Sequence, residues 1–424
     1  MHLKLTFYSF EGACIVPVGI EPPKGAHVTQ KPFVPVVFMV NRDLKNNRSW
    51  FCVRDIAEVF EKDGPCCLHE ADLYIEVPYE KNEQYALLYK LVHENGAAVI
   101  NTAFPKYKEA FNTRLMFRGK KHRVALAGLG DVGGSLLLGL MLLGGEDIEE
   151  IGIYDKSFER MMRYEQEMNQ LLPLQENGEM PRVTCISEEK ELFCGSAFLF
   201  CASRGVPNPE TCSDVRMAQL ESNRALVLPY ARMAREVNFN GLFAQISDPV
   251  DILCRDVFLH SNSDENGTYD WQGLLPEQVR GYGLGVMKAR AMYAARELKR
   301  EADCANLRVY GPHGNGLVAA NDPCTAYEDA LSKEITINTV KANLKLRETG
   351  YKPYIAPAIS SACVSILRTL RGAWHEAATP LGGVYMGCRS RITEHGVELE
   401  RFKLHETLYI RIAETYRQLK TMEV

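Results

Sequence analysis

The hexapeptide Gly128-Leu129-Gly130-Asp131-Val132-Gly133 follows the apolar run RVALA at 123–127 and opens a second apolar run. Glycines at its first, third and sixth positions suit the cradling of a pyrophosphate. The first permits a tight turn, the second lets the backbone approach the phosphates, and the third lets helix and strand touch. A helix starting there adds unpaired N–H groups and a favourable dipole. Asp155 ends the next apolar strand, IGIY plus Asp, 27 residues after Gly128. A carboxylate there hydrogen-bonds ribose hydroxyls and repels a 2′-phosphate, which favours NAD over NADP. A plain strand–turn–helix with a surface aspartate is the bland alternative. The order strand, glycines, helix, acid argues for the dinucleotide. The cofactor-contacting set is then Gly128, Gly130, Asp131, Val132, Gly133 and Asp155.

Only one other local cluster carries ligand-type side chains, Cys66-Cys67 with His69. Adjacent cysteines seldom chelate one zinc without further ligands, so no metal site is expected. The thirteen cysteines are odd in number, with no C-x-x-C pair. That pattern fits reduced thiols packed as small hydrophobes and a cytoplasmic chain.

These residues need elements to position them, and the composition allows for those. The 424 residues are too many for one core, so two or three domains are expected. Hydrophobic residues at 46% and charged residues at 24% give the balance of a globular protein. A formal net charge of −5 argues against nucleic acid or an anionic membrane as the main partner. The longest apolar stretch, 136–143, is far too short to span a bilayer. The N-terminus has no clean apolar run and no small-residue cleavage site, and reads as a strand leading into a loop.

Residues 1–120 read as a small α/β domain without a chemical motif. FVPVVFMV at 33–40 and AAVIN at 97–101 predict strands, and 84–93 has helical spacing ended by Gly96. WFCVRDIAEVFEKDG at 50–64 reads as a strand or a helix. From 121, strands and helices alternate as in a parallel sheet covered on both faces. Strands are expected at RVALA, IGIY, VTCI, AFLFC and LFAQIS, with a buried helix at 134–144. The fold class is therefore α/β. A Rossmann-type sheet spans 121–248 and an α+β domain spans 249–424.

Further segments resemble the lactate/malate dehydrogenase family, in order and spacing, over roughly 300 residues. LFCASRGVPNP resembles the family's strand and glycine-initiated mobile loop, and Arg216 precedes Asn223 by seven residues as the loop's arginine precedes its asparagine. QISDPVDIL is similar to S-N-P-V-D-I-L, with Asp248 in place of the asparagine. VRGYGLGVMKAR resembles the helix ending in L-D-x-x-R, where Arg290 matches the arginine. VYGPHGNG is similar to G-E-H-G, so His313 matches the histidine. LGGVYMG…HGVELE and the final helix also look like the family's.

The resemblance implies an NAD-dependent 2-hydroxy-acid dehydrogenase and a homo-oligomer. His313 would be the general acid/base, Arg290 the bidentate clamp on the substrate carboxylate, and Arg216 the lid residue that polarises the carbonyl. Two departures matter. Met287 stands where an aspartate should hold the imidazole, and a thioether cannot do that. Asp248 replaces the asparagine, and we expect it to supply the missing charge beside His313. Asn208, where malate enzymes carry an arginine for a second carboxylate, speaks against oxaloacetate. Lys352, in GYKPY, falls near a pocket-lining position and is equally well an exposed lysine. A catalytically silent relative, or another redox reaction on the same scaffold, are the competing readings. NADH binding with and without turnover on 2-oxo acids separates them.

Overall fold

The computed structural model describes residues 5–70, 83–109, 121–176, 178–204 and 215–422, with side chains in the last segment from 219 on. The N-terminal unit contains strands β1 (Phe7–Phe10), β2 (Ala13–Pro17), β3 (His27–Thr29), β4 (Val36–Val40), β5 (Trp50–Val53) and β6 (Ala97–Asn101), with helix α1 (Glu83–Asn95) before β6. Strand β4 begins after Pro35 rather than at Phe33, because proline has no N–H for the ladder. The ambiguous segment at 50–64 resolves as strand β5 followed by a 3₁₀ turn, Ile56–Phe60. Asp55 caps that turn by accepting from the Ala57 N–H at 2.8 Å. Helix α1 ends at Gly96, whose φ of 78° lies in the left-handed region that glycine enters without strain.

The second unit runs β7 (His122–Ala127), α2 (Asp131–Leu143), β8 (Ile148–Tyr154), α3 (Phe158–Met168), β9 (Arg182–Cys185), β10 (Ala197–Phe200), α4 (Val215–Glu236), β11 (Leu242–Gln245), α5 (Val250–Ser261) and β12 (Val279–Gly281). Its strands lie in the order β9-β8-β7-β10-β11-β12, all parallel. This is the doubly wound arrangement, and its direction reverses between β7 and β10. The crevice outside the carboxyl ends of those strands is where such sheets bind ligands. The sixth strand, β12, comes from beyond residue 248. Leu136, Leu137 and Leu140 of α2 are fully buried against the sheet. Each contributes roughly 1.5–3 kcal/mol through burial.

The remaining chain gives α6 (Leu284–Glu297), the hairpin β13 (Arg308–Tyr310) and β14 (Val318–Ala320), α7 (Asp329–Arg347), α8 (Val364–Leu370), the antiparallel strands β15 (His375–Leu381), β16 (Val384–Thr393) and β17 (Gly396–Leu399), and α9 (Glu406–Thr421). Strand β15 pairs with β12 on one side of this region, and β17 pairs with β5 on the other. One sheet of fifteen strands therefore runs through all three regions. Buried Glu277 reinforces the seam. Its carboxylate accepts from the backbone N–H groups of Ser49 at 2.8 Å and Trp50 at 3.1 Å, and from the Ser49 hydroxyl. Burial pushes the Glu277 carboxyl up, and the three donors offset that cost only in part.

Candidate active site

The glycine motif forms the turn between β7 and α2. Gly128 has φ 95°, and a Cβ there would lie 2.6 Å from the Ala202 nitrogen. A Cβ on Gly133 would lie 1.8 Å from the Gly128 carbonyl oxygen, so helix and strand meet only because that atom is absent. At Gly130, the helix N-cap, a Cβ would meet nothing within 4 Å. The backbone there faces open space. That combination, two glycines forced by packing and one facing a groove, fits a pyrophosphate at the start of α2. Asp131 occupies the first helical turn, and Val132 lines the groove with it.

The groove has a volume of about 820 Å³ and receives Asp155 from the end of β8. Asp155 accepts from the Leu129 N–H at 2.8 Å and the Ser157 N–H at 3.0 Å, and pairs with Arg160 at 3.2 Å. Burial pushes its carboxyl up, but these donors outweigh it and hold the group below the usual aspartate value. The carboxylate is thus fixed and charged beside the glycine turn. Sequence reading missed that Lys156 and Arg160 line the groove with it.

A second cavity, of about 520 Å³, adjoins the first, and Val132, Cys201 and Ser203 line both. His313 reaches it from the loop after β13, Asp248 from the segment between β11 and α5, and Arg290 from α6. His313 Nδ1 lies 2.9 Å from Asp248 Oδ1. The expected proximity of those two residues is therefore present in the geometry. Burial alone lowers the His313 pKa, but the charge and hydrogen bond of Asp248, aided by Asp251, outweigh both burial and Arg290 and raise it above 6.5.

Asp251 was not foreseen as a site residue. It lies in the first turn of α5, 5% exposed, and accepts from the His313 backbone N–H at 3.1 Å. Burial lifts its carboxyl to about 6, against the pull of that N–H and of the imidazole. Gly283 was missed as well. A Cβ on it would sit 3.1 Å from both Cβ and Nδ1 of His313. The N-terminus of α6 is tied down by Ser361, whose hydroxyl accepts from the Val286 N–H and donates to the Gly283 carbonyl, both at 2.8 Å.

Arg290 is half-buried, and burial lowers its pKa while Asp248 raises it. Its one hydrogen bond among the described residues is weak, from Nη1 to the Met287 sulfur at 3.7 Å. No carboxylate lies within ion-pair distance of it there. Met287 is 1% exposed and packs in the apolar cluster between α6 and α7. Buried Asn223 ties the site to α4. Its amide donates to the Asp248 carbonyl at 2.7 Å, and its oxygen accepts from the Arg204 N–H at 3.3 Å. Asn208 and the side chain of Arg216 lie outside the described residues.

Among the described residues no group of three or more histidine, cysteine or carboxylate side chains is placed to hold a metal. Cys66 Sγ donates to the Lys62 carbonyl at 2.9 Å, and His69 Nδ1 accepts from the Leu404 N–H at 3.1 Å. Those ligand-type atoms are engaged separately.

No family model matches the chain. It is 24% identical over 305 residues to an L-lactate dehydrogenase of Staphylococcus haemolyticus, covering 66% of this chain and 88% of that protein. In fold it is similar to the minor L-lactate dehydrogenase of Enterococcus mundtii, with a TM-score of 0.57, 17% identity, and coverage of 71% of this chain and 96% of that one. The malate dehydrogenase of Picrophilus torridus superimposes with a TM-score of 0.56 at 16% identity, covering 71% and 96%. The chain is thus lactate/malate dehydrogenase-like in fold and in the order of its segments. The relatives it resembles are dehydrogenases, which are oxidoreductases.

Proposed function

We propose that this chain is an NAD-dependent oxidoreductase acting on the CH–OH group of a 2-hydroxy acid, and that its oxidised substrate is a small 2-oxo acid other than oxaloacetate. The observation that supports this most is the meeting, in one cavity beside the glycine-turn groove, of the Asp248–His313 pair with Arg290. Gly128, Gly130, Gly133 and Asp155 would hold a nicotinamide dinucleotide, which would supply hydride chemistry to the neighbouring cavity.

The rest of the work falls to the chain. Arg290 offers two parallel N–H donors to the substrate carboxylate, a geometry lysine lacks. Its neighbour Met287 presents only a thioether, so those donors are not spent on a carboxylate of the protein. Asp248 holds the Nδ1–H of His313, which assigns proton transfer with the substrate oxygen to Nε2. Its negative charge stabilises the imidazolium and keeps a proton available. Asp251 fixes the histidine's backbone and adds a second negative charge beneath it. Arg216 is assigned the polarisation of the carbonyl. Asn208, a neutral amide, is assigned to the loop facing the substrate, where it pairs with no carboxylate.

The second reading, a silent NAD-binding relative, draws on Met287, which displaces the acid the family pattern requires. Measuring NADH oxidation over a panel of 2-oxo acids, together with NADH affinity, separates the two. Turnover supports the dehydrogenase. Tight NADH binding without turnover on any acid supports the silent relative.

Homo-oligomerisation belongs to the same proposal. Leu138 and Leu142 on α2 and Ile337 on α7 are exposed apolar side chains that a second copy would cover. Among the described residues no helix is long and apolar enough to cross a membrane. Placement in the cytoplasm is likewise proposed.

A further inference from the structure

The substrate cavity holds a second guanidinium. Helix α7 runs along one wall, and Val340, Asn343, Leu344 and Arg347 all line it. Their spacing of three, four and seven residues puts them on one helix face, spanning two turns or about 10 Å. Val340, at one end, packs against the cluster that contains Met287, the neighbour of Arg290. Arg347, at the other end, stands exposed where the substrate cavity opens into the dinucleotide groove.

Neither Arg290 nor Arg347 forms an ion pair among the described residues. Other arginines here do form ion pairs, as Arg308 does with Glu400, Arg224 with Asp256 and Arg371 with Asp147, but those three do not line this cavity. One cavity thus presents two guanidiniums without an ion pair among the described residues, one from α6 and one from the end of α7. A guanidinium selects carboxylates by two parallel hydrogen bonds, and an acid seated on both forks needs an anion at each end.

We propose that Arg347 receives a second carboxylate of the substrate, which makes the acid a 2-oxo dicarboxylate longer than oxaloacetate. The inference rests on the dehydrogenase reading for the role of Arg290. Arg347 lies two helical turns from Val340, whose side chain packs against the Met287 cluster, and that placement favours a diacid longer than the shortest one. Leu344 and Asn343 then face the methylene chain and the solvated middle of the acid.

The test compares 2-oxoadipate with 2-oxohexanoate, an acid of equal chain length lacking the second charge. Affinity for the protein–NADH complex is read by NADH fluorescence, and KM wherever turnover occurs. The unmodified protein is expected to prefer 2-oxoadipate by about 10- to 100-fold, the range for one charge-assisted bond, as suits an exposed guanidinium. In Arg347→Gln that preference is expected to vanish, with affinity for 2-oxohexanoate and NADH unchanged. Equal affinity of the unmodified protein for the two acids overturns the proposal. So does an Arg347→Gln variant whose chief loss is NADH affinity, because Arg347 would then serve the dinucleotide. Selective binding of 2-oxoadipate without turnover defeats the dehydrogenase reading and leaves the second carboxylate site standing.

Discussion

Asp248 Oδ1 stands 2.9 Å from Nδ1 of His313, although 65 residues separate the two in sequence. The carboxylate arrives from the sheet side and the imidazole from the β13–β14 hairpin. The position on α6 where the family pattern has an aspartate holds a buried methionine. Because the pKa of His313 is raised in the folded protein, the pair stabilises the fold below the histidine's ordinary value of 6.5. That contribution is lost as pH rises through the raised value.

Asp248→Asn is expected to lower the His313 pKa, since it removes both the charge and the strong acceptor at Nδ1. An NMR titration of the His313 ring checks this. An unchanged midpoint would show that Asp248 does not govern the ring.

NADH is expected to bind far better than NADPH, because the carboxylate of Asp155 is held beside the glycine turn. Asp155→Ala should narrow the gap, and more than charge removal alone would, because it also frees Arg160 for a 2′-phosphate. Titration of both cofactors against both proteins tests it. Equal affinities in the unmodified protein would contradict the assignment of Asp155.

Arg290→Lys is expected to raise the substrate KM about 10- to 100-fold, from the loss of one charge-assisted bond worth roughly 1.5–3 kcal/mol. NADH affinity should persist. Steady-state kinetics on the preferred acid separates the two, and an unchanged KM would show that Arg290 is not the clamp.

Two glycines should respond to alanine in opposite ways. Gly130→Ala meets open space, so it should cost at most about 1 kcal/mol of stability yet abolish tight NADH binding. Gly133→Ala drives a methyl into the Gly128 carbonyl and should lower stability by about 1–3 kcal/mol or prevent folding. Thermal melts with and without NADH read both. Undiminished NADH affinity in Gly130→Ala would place the pyrophosphate elsewhere.

Much of this was legible in the sequence where the signal is local. The glycine turn, the strand ending at Asp155 and the helix ended by Gly96 follow from backbone requirements within a few residues. The contact between Asp248 and His313 was expected only through the family resemblance, which sets a strand end beside a histidine loop, and not from any local signal. Long-range packing was not legible. Nothing near Asp251 marks it as the acceptor of the His313 N–H, and nothing near Gly283 shows that an imidazole lies against it. Arg347 reads as the basic end of a helix until α7 is laid along the cavity. The joining of β5 to β17 was equally hidden, because a register between strands more than 300 residues apart leaves no local trace. Asn208 and the Arg216 side chain lie outside the described residues.

The proposed dehydrogenase depends on Asp248 for the charge that Met287 cannot supply. Turnover of NADH with a 2-oxo acid, measured in Asp248→Asn and in the double variant Asp248→Asn with Met287→Asp, tests it most directly. The single variant is expected to lose turnover by about 100-fold or more, within the range for general acid–base catalysis, and the double variant to recover it. A single variant as active as the unmodified protein, or more so, would contradict the claim.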